Sequence, residues 1–391
     1  MSTETKSNLG EVGLLFLRLG LTAFGGPAAH IALMQQEVVE RRKWLTQEEF
    51  LDLLGASNLV PGPSSTELAI HIGFRQARWA GLLLAGVCFI LPAFLIVMGI
   101  AWAYVRFGHL PQVTGILYGI KPVVIVIVLQ ALWNLGRTAL KTRFLVSLGA
   151  AAAASAFLSV NPLLILVSAG AIVGGMQRIS SKEKGGAKPL LGLLLLIAAL
   201  VALPWALGHF AASTTVDGTA VFLIFLKFGS IVYGSGYVLL AFLRTDLVAR
   251  LHWLTTQQLL DAVAIGQVTP GPVFTTATFI GFILGGPKGA ILATLGMFLP
   301  AFLFVAVSGP LVKGLRKSPL ASAFLDGVNV ASLALMAYVT WDLGRSALVN
   351  GITVTIALIS ALLLFRFRVN SLWLVLGGAS AGLIASFLGK G

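Results

Sequence analysis

Two short stretches, Val60-Pro-Gly-Pro63 and Thr269-Pro-Gly-Pro272, decide how this chain folds, because each interrupts an apolar segment and the two lie 209 positions apart. Proline removes a backbone donor and disfavours the helical turn before it, so the helix must unwind at both places. An unwound backbone is tolerated in a membrane only where it faces protein or a hydrated cavity. Both Pro-Gly-Pro elements are therefore expected to line a pathway.

The same register extends over the flanking sequence. Phe16-Leu-Arg-Leu-Gly20 matches Phe225-Leu-Lys-Phe-Gly229 at an offset of 209. After one deletion the offset becomes 208, and Trp133-Asn-Leu-Gly-Arg137 matches Trp341-Asp-Leu-Gly-Arg345. Two copies of one membrane unit, with Gly/Pro interruptions at matching places, are the sequence mark of a secondary transporter whose site lies between the repeats.

The composition is that of an integral membrane protein. Of 391 residues, 57% are hydrophobic and 10% are charged, whereas soluble domains carry about 25% charged residues. The net charge of +13 sits largely in short loops, where it indicates membrane orientation rather than nucleic-acid binding. Apolar runs recur at 80–105, 113–135, 144–158, 162–177, 190–208, 288–312, 322–344, 348–365 and 371–388.

The predicted fold is all-α: a polytopic membrane protein with two homologous six-segment repeats, 9–177 and 219–388, joined by a polar linker and an extra span at 178–218. If each broken segment crosses the membrane, thirteen crossings result and the second repeat is inverted. Seventeen loop Lys and Arg residues then share the side of the N-terminus against seven opposite, which predicts a cytoplasmic N-terminus. The loop near Arg41–Lys43 would be periplasmic and the loop near Arg250 cytoplasmic.

A second arrangement gives the same charge count. If 50–72 and 259–281 are re-entrant hairpins, the repeats become parallel and the count is again seventeen against seven. The inverted arrangement is favoured because equivalent loops differ in charge: 137–143 holds three bases and its counterpart holds only Arg345. Inverted copies need such an asymmetry and parallel copies do not.

Capping boxes mark a helix start in each repeat. Thr46 with Glu49, and Thr255 with Gln258, place a hydroxyl at the N-cap and a Glu or Gln three residues later. These boxes predict helices near 47–59 and 256–268, each ending at a Pro-Gly-Pro break.

At this point the chain resembles a known family, the chromate ion transporters, over nearly all of both repeats. The motifs that carry the resemblance are Phe24-Gly-Gly-Pro-Ala-Ala-His30, Arg41-Arg-Lys-Trp-Leu45, Asn58-Leu-Val-Pro-Gly-Pro-Ser-Ser-Thr-Glu67, Phe89-Ile-Leu-Pro-Ala93 and, more weakly, Gln267-Val-Thr-Pro-Gly-Pro272. The resemblance implies a bacterial inner-membrane efflux protein that expels chromate and confers resistance, with sulfate as a structural mimic. The second repeat departs from the pattern at Gly234-Ser-Gly236 and at Val273-Phe274.

The residues also favour an anionic substrate. Arg18 and Lys227 are equivalent positions inside apolar runs, and charged residues at such depth usually face a cavity or a partner. The alternative is that one or both extend to the membrane interface from near a helix end. Lys121 is the third basic residue within a predicted span.

The helix that starts after the first break offers an oxyanion cradle. Backbone amides at a helix N-terminus favour negative charge, and this helix opens with Ser64, Ser65 and Thr66. A capped helix start without a ligand is an equally good interpretation. The predicted substrate-binding residues are Arg18, Phe24, Gly25, Gly26, Asn58, Pro61, Gly62, Pro63, Ser64, Ser65, Thr66, Lys227, Gly234, Ser235, Gly236, Gln267, Pro270, Gly271 and Pro272.

Gating or proton coupling is assigned to Glu67 and His30. Glu67 is the one acid in the middle of the first broken segment, and it would either exchange protons or neutralise Arg18 or Arg75, the ion-pair role being slightly favoured. His30 and His71 could titrate, although structural hydrogen bonding is the simpler role for each. The repeat-matched Asp52 and Asp261 are expected to stabilise helix N-termini.

Enzyme signatures are missing from the sequence. No Cys/His cluster suits zinc, and neither a Walker A loop nor a Gly-x-Ser-x-Gly elbow occurs, so no cofactor is expected. The predicted function is secondary export of chromate, with another oxyanion such as sulfate as the alternative substrate. A lipid-headgroup enzyme using His30, Glu67 and Arg18 is the less favoured alternative. The expected partners are chromate, the lipid bilayer and a second copy of the chain, and nucleic acid is not expected.

Overall fold

A computed structural model describes residues 8–58, 60–180, 202, 206, 216–232, 236, 238–315 and 319–388. Throughout these ranges the chain forms helices and turns, and no strand occurs among them. Almost all of the expected extra span at 190–208 lies outside the described residues, as do the predicted site residues Gly234 and Ser235.

The first repeat forms seven helices in chain order. They are α1 (Leu9–Thr22), α2 (Gly26–Gln35, continued by a π-helical turn Gln36–Arg41), α3 (Gln47–Ser57), α4 (Ser64–Phe107), α5 (Pro111–Ala139), α6 (Arg143–Phe157) and α7 (Pro162–Ser180). The predicted capping box is confirmed, because the Glu49 amide donates to Thr46 Oγ1 and the Thr46 amide donates to Glu49 Oε2.

The second repeat reproduces this order. Its helices are α8 (Gly218–Ile231), α9 (Leu239–Phe242, continued by a π-helical segment Leu243–Arg250), α10 (Thr256–Val268), α11 (Thr276–Leu315, preceded by a 3-10 turn Val273–Thr275), α12 (Pro319–Ala347), α13 (Gly351–Arg366) and α14 (Ser371–Phe387). The second capping box is also confirmed, since the Gln258 amide donates to Thr255 Oγ1 and the Thr255 amide donates to Gln258 Oε1.

Each of the long helices α4 and α11 is two helices folded against each other. The backbone leaves the helical region at Ala77 and Arg78 in α4, and at Gly285 and Gly286 in α11. Arg78 (φ 54°) and Gly286 (φ 61°) lie 208 positions apart, so the repeat register extends to the kink. We call 64–76 and 79–107 the first and second arms of α4. A Cβ on Gly73 would collide with the Gly81 carbonyl, so the arms touch at backbone distance.

The first broken segment turns back at its break. Arg18 Nη1 lies 3.8 Å from Glu37 Oε1, although a straight helix would separate two residues 19 positions apart by about 28 Å. Helices α1 and α2 therefore form a hairpin whose tip is the Ala23–Gly26 stretch.

The second broken segment also turns back. Arg75 Nη2 lies 3.1 Å from Glu49 Oε1, and Gln76 Nε2 donates to the Trp44 carbonyl at 3.3 Å. The start of α3 therefore lies beside the end of the first arm of α4, and the Pro-Gly-Pro break is the tip of this second hairpin. The crossing count from the sequence treated each broken segment as one traverse, and these contacts correct that count for the first repeat.

The described residues pack into two units, each with segments from both repeats. Unit 1 contains Met1–Met98, Lys184–Gly236 and Thr269–Ala321, and unit 2 contains Gly99–Glu183, Tyr237–Val268 and Ser322–Gly391. In unit 1, the fully buried Phe16, Phe50 and Phe89 join α1, α3 and α4 in one apolar core.

Small residues set the closest helix contacts, as in membrane bundles. In unit 2, Gly115 and Gly119 of α5 meet Gly378 and Gly382 of α14, and a Cβ on Gly115 would lie 2.6 Å from the Ser386 Cβ. Both glycine pairs have the four-residue spacing that lets two helix backbones approach.

Four described segments are long and apolar enough to cross a membrane. They are Ser64–Phe107, Pro111–Ala139, Val273–Val307 and Pro319–Ala347. The shorter helices α6, α8, α13 and α14 are also apolar.

Candidate functional site

The backbone of the first hairpin tip needs glycine at two positions and a proline at the start of the next helix. Gly25 (φ 102°) and Gly26 (φ 77°) adopt left-handed backbone conformations, which glycine populates without a steric penalty. Pro27 then stands at the start of α2, where its missing N–H leaves no hydrogen bond unmade. Phe24 is half-buried at this tip and Gly26 is buried.

The second tip is the Pro61-Gly62-Pro63 loop, and all three of its residues are buried. The Thr66 and Glu67 amides donate to the Pro63 carbonyl at 2.7 and 3.0 Å, which starts the first turn of α4. The predicted cradle residues are held inside the protein here: Ser65 is 3% exposed and Thr66 is 0% exposed.

Each Pro-Gly-Pro loop is hydrogen-bonded to the first break of the other repeat. The Gly62 amide donates to the Val232 carbonyl at 2.7 Å, and the Gly271 amide donates to the Ala23 carbonyl at 2.9 Å. Gly62 and Gly271 are equivalent positions, and so are Ala23 and Val232. Within unit 1, therefore, the breaks of both repeats meet at one place through two reciprocal hydrogen bonds.

The packing around the two glycines is reciprocal as well. A Cβ on Gly271 would lie 2.8 Å from Ala93 Cβ, and one on Gly62 would lie 3.9 Å from Ala301 Cβ. Ala93 and Ala301 are equivalent positions in the Leu-Pro-Ala-Phe motifs. Each loop thus rests on the second arm of the other repeat's long helix, where a larger side chain would push it away.

His30 links the two tips of the first repeat. Its Nε2 lies 3.2 Å from the Ala23 carbonyl oxygen, which can only accept, and its Nδ1 lies 3.2 Å from Ser65 Oγ. The ring is 1% exposed and meets the Phe89 ring edge-on at 5.6 Å between centroids. The Ala23 carbonyl therefore joins His30 and the Gly271 amide at one atom.

Glu67 lies at the same tip without a partner. The side chain is 0% exposed, and both carboxylate oxygens lack a hydrogen-bond or ion-pair partner among the described residues. The suggestion that it neutralises Arg18 or Arg75 is wrong, because Glu67 pairs with neither base, and these two bases contact Glu37 and Glu49. Thr66 Oγ1 and His71 Nε2 are also buried without a hydrogen-bond partner in this part of the chain.

The corresponding segment of the second repeat is fully paired. Thr275 Oγ1 donates to the Pro272 carbonyl at 2.8 Å, and Thr276 Oγ1 donates to the Val273 carbonyl at 2.8 Å. Thr278 and Thr294 hydroxyls lie 2.8 Å apart. Among the described residues of the two segments that follow the Pro-Gly-Pro loops, buried polar atoms without a hydrogen-bond partner therefore occur in the first repeat, at Thr66, Glu67 and His71, which makes these two segments chemically unequal.

Arg18 is not buried as its apolar context predicted. Its side chain is 59% exposed, and Glu37, which also contacts Arg41 at 2.7 Å and Arg42 at 3.5 Å, is its nearest acid. The cause is its place on the face of α1 that also carries the exposed Leu14 and Leu21. The equivalent Lys227 is 5% exposed, with Nζ 6.0 Å from the Phe228 ring centroid.

Two further predicted residues lie at the ends of the helices that precede the Pro-Gly-Pro loops. Asn58 is exposed at the end of α3. Gln267 belongs to unit 2, two residues before the chain enters unit 1 at Thr269, and Pro270 and Pro272 follow in unit 1. Gly236 adopts a left-handed conformation (φ 78°), and a Cβ there would lie 2.6 Å from the Phe274 ring.

Unit 2 holds a buried ion pair that the sequence did not predict. Lys121 Nζ lies 2.8 Å from Asp261 Oδ1, with side-chain exposures of 8% and 4%. The Tyr104 hydroxyl donates to Asp261 Oδ2 at 2.9 Å. The expectation that Asp261 only stabilises a helix terminus is therefore corrected: it neutralises a lysine on α5.

At the outer end of the second hairpin, the Thr46 amide hydrogen bond holds the pKa of Glu49 below its usual value, with help from the Arg75 guanidinium. Across the described ranges, no group of three or more His, Cys, Asp or Glu side chains could hold a metal ion.

These features define a class of protein. The chain has duplicated, broken apolar helices, and the breaks of both copies converge on buried backbone amides, which is the construction of a membrane transporter. The sequence profile of the chromate transporter family matches residues 10–175 and 219–383. The chain therefore belongs to the chromate transporter family, and it is a multi-pass membrane transporter rather than an enzyme.

Individual relatives agree over most of the chain. A chromate transport protein of Cupriavidus metallidurans is 32% identical over 385 residues, 98% of this chain and 94% of that protein. One of Pseudomonas aeruginosa is 32% identical over 384 residues, 94% of this chain and 90% of that protein. The uncharacterized transporter YwrA of Bacillus subtilis is 31% identical over 128 residues, 33% of this chain and 72% of that protein. No solved structure matches the chain significantly.

Proposed function

We propose that this protein exports chromate across a bacterial inner membrane as a secondary transporter, and so confers chromate resistance. The observation that carries the proposal is the reciprocal bonding of the Pro-Gly-Pro loops, Gly62 to Val232 and Gly271 to Ala23, in a chain of the chromate transporter family. Breaks that meet in this way supply a binding site common to both repeats, as alternating access requires.

The chemistry of the first tip suits a tetrahedral dianion. Backbone amides and hydroxyls at the first turn of α4 offer hydrogen bonds and the positive end of a helix dipole. Ser65 is oriented by His30, so its hydroxyl is held in place before the anion arrives. Sulfate has the same shape and charge, and we propose it as a competing ligand. The roles of Arg18 and Lys227 stay predictions, and burial favours Lys227.

The membrane potential supplies the driving force in this proposal. A dianion that leaves a cell with a negative interior gains about 4.6 kcal/mol per 100 mV, because each charge contributes about 2.3 kcal/mol. Export therefore needs no nucleotide-binding motif in the chain.

We also propose that the repeats are inverted. Leu82, early in the second arm of α4, shares a buried cluster with Ala301 and Val305, late in α11, and Gly86 meets Phe302. Equivalent helices of parallel repeats would pair early residues with early residues, so these contacts support an antiparallel crossing.

The hairpins change which loops lie on which side. If both broken segments of each repeat turn back and 190–208 crosses once, eighteen loop Lys and Arg residues share the side of the N-terminus and six lie opposite. The six are Arg106, Arg244, Arg250, Lys288, Arg345 and Lys390. This distribution again favours a cytoplasmic N-terminus. In this arrangement the Arg41–Lys43 loop would lie in the cytoplasm and the Arg250 loop in the periplasm, the reverse of the assignment made from the sequence.

Chromate uptake into everted membrane vesicles tests the function. We expect accumulation that collapses with the membrane potential and is inhibited by excess sulfate. Chromate-independent turnover of labelled lipid, with no accumulation, would contradict the proposal. Substitution of the exposed Lys141 by Gln, far along the chain from the tips, serves as the control for expression.

Thiol labelling tests the topology. Cys88 is replaced by Ser, and single cysteines are placed at the equivalent exposed positions Glu48 and Gln257. In intact cells an impermeant reagent should label Gln257→Cys and not Glu48→Cys. Protection of both until permeabilisation would favour parallel repeats.

A further inference from the structure

We propose that Glu67 carries a proton whenever the transporter holds its oxyanion, and that His71 passes this proton between Glu67 and the outer end of the hairpin. The inference deepens the proposed function and rests on it, since it names the ion that moves with the anion.

The position of Glu67 carries the argument. A Cβ on Gly62 would overlap Glu67 Oε1, so the carboxyl group lies against the Pro-Gly-Pro tip. The Glu67 amide belongs to the first turn of α4, the turn proposed to hold the oxyanion. A carboxylate in that position would repel a dianion, and it would be buried without the partner that an ionised group requires. A neutral carboxylic acid removes both penalties.

No neighbouring charge takes the place of the proton. The other ionisable side chains that the structure describes on or directly after α1 to α4, α8 and α11 within unit 1 are Glu11, Arg18, His30, Glu37, Glu40, Arg41, Arg42, Glu48, Glu49, Asp52, His71, Arg75, Arg78, Cys88, Lys227 and Lys288. Within the described part of unit 1, none of them forms a hydrogen bond or an ion pair with Glu67. His30, the nearest along the tips, already contacts Ser65 and Ala23.

His71 extends the path away from the tip. It lies four residues after Glu67, on the same face of the helix and one turn nearer to Arg75 at the outer end. Its side chain is 7% exposed, and Nε2 has no hydrogen-bond partner among the described residues. An imidazole can accept a proton on one nitrogen and release one from the other. An imidazole beside a single carboxyl suits a proton better than Na⁺, because hard cations prefer several oxygen ligands.

The second repeat gives an internal comparison. Its segment after the break carries threonines whose hydroxyls donate to nearby carbonyls, and no acid or histidine occurs between Val273 and Ile280. We therefore expect each transporter to have one proton-binding site, at Glu67. Above the pH at which Glu67 titrates in the anion-free protein, binding of the dianion takes up one proton, and each export cycle moves one net negative charge instead of two.

Proton uptake on binding tests this inference. Purified protein in lightly buffered detergent, at a pH where chromate is fully dianionic, is mixed with sodium chromate and a pH-indicator dye. We expect about one proton taken up per chromate bound by the wild type, and an affinity that falls about tenfold per pH unit above the titration of Glu67. Glu67→Gln should bind chromate with no proton uptake and no dependence on pH. His71→Gln should take up the same number of protons more slowly.

Glu49→Gln is the matched control, because Gln258 keeps the equivalent capping box in the second repeat. It should behave as the wild type. Proton uptake by Glu67→Gln equal to the wild type, or chromate binding that requires Na⁺, would overturn the inference and leave the transporter proposal intact. If Glu67→Gln is not recovered folded, a wild-type affinity that does not change with pH overturns it. Wild-type protein that binds no chromate at any pH would overturn the proposed function itself.

Discussion

Removal of one member of the Lys121–Asp261 pair should destabilise the protein far more than removal of both. The two charged atoms lie 2.8 Å apart and both side chains are almost fully buried. A single substitution, Lys121→Met, leaves the Asp261 carboxylate with only the Tyr104 hydroxyl, and an uncompensated buried charge costs about 3–5 kcal/mol. Tyr104→Phe removes one hydrogen bond to a charged acceptor, about 1.5–3 kcal/mol.

The double variant Lys121→Met/Asp261→Leu removes both charges and keeps similar volume. Replacement of a buried ion pair by apolar residues is often close to neutral, so the double variant should be more stable than either single variant. The exposed pair Lys141–Asp326, at 3.1 Å in the same unit, is the matched control. Lys141→Met should cost less than about 1 kcal/mol.

The assay is equilibrium unfolding in mixed micelles, with the folded fraction followed by tryptophan fluorescence. The wild type is compared in one detergent with five variants: Lys121→Met, Asp261→Leu, the double variant, Tyr104→Phe and Lys141→Met. A loss for Lys121→Met no larger than that for Lys141→Met would refute the reasoning. So would a double variant as unstable as the sum of the singles, because that result would assign the stability to packing rather than to charge.

Three further predictions follow from the tips. Pro61→Ala with Pro63→Ala should let the helix continue through the break and reduce chromate transport at normal expression, and the Pro270→Ala/Pro272→Ala pair should be milder because Val273 and Phe274 are less polar; unchanged transport in the first pair would exclude the break from the mechanism. Gly271→Ala should destabilise the protein by about 1–3 kcal/mol, because the new methyl group meets Ala93 and the Gly20 carbonyl. In Gly62→Ala the new methyl group meets the movable Glu67 carboxyl group, so this variant should impair transport more than thermal stability. Because the pKa of Glu49 is lowered in the folded protein, its capping box is intact above the ordinary value of 4.5 and is lost as the pH falls through the lowered pKa. Hydrogen exchange of the backbone amides at 46–50 should therefore rise in acid relative to those at 255–259, where Gln258 does not titrate.

The repeat offset predicted the equivalences that organise the site. Gly62 with Gly271, and Ala23 with Val232, were already aligned in the sequence, and both capping boxes and the Pro-Gly-Pro breaks were found where expected. What the offset could not supply was the direction of the chain after a break. A broken segment of 30 residues is long enough to cross a bilayer or to return, and apolar composition is the same in both cases.

The repeat pattern also could not predict ion pairs between residues that are far apart in the sequence. Lys121 and Asp261 lie in different repeats, and no local signal joins them. Arg75 was a reasonable partner for Glu67 by spacing along α4, but the hairpin brings Glu49 beside Arg75 instead. Arg18 was expected to be buried because its neighbours in sequence are apolar, whereas it lies on the exposed face of α1, with Leu14 and Leu21.

The two copies share a backbone plan and differ in chemistry, and this difference has a physical reason. The reciprocal bonds Gly62–Val232 and Gly271–Ala23 need both repeats, so neither copy alone can complete the tips. Both copies therefore need the equivalent backbone amide, because each amide donates to the break of the other copy. Side chains are under no such constraint. After the two Pro-Gly-Pro loops, within the described ranges, the first repeat alone places an acid and a histidine whose side chains have buried polar atoms without a hydrogen-bond partner. A transporter that moves one ion with each anion needs only one such position, and a second buried acid at Thr275 or Thr276 would add a second charge to neutralise in every cycle.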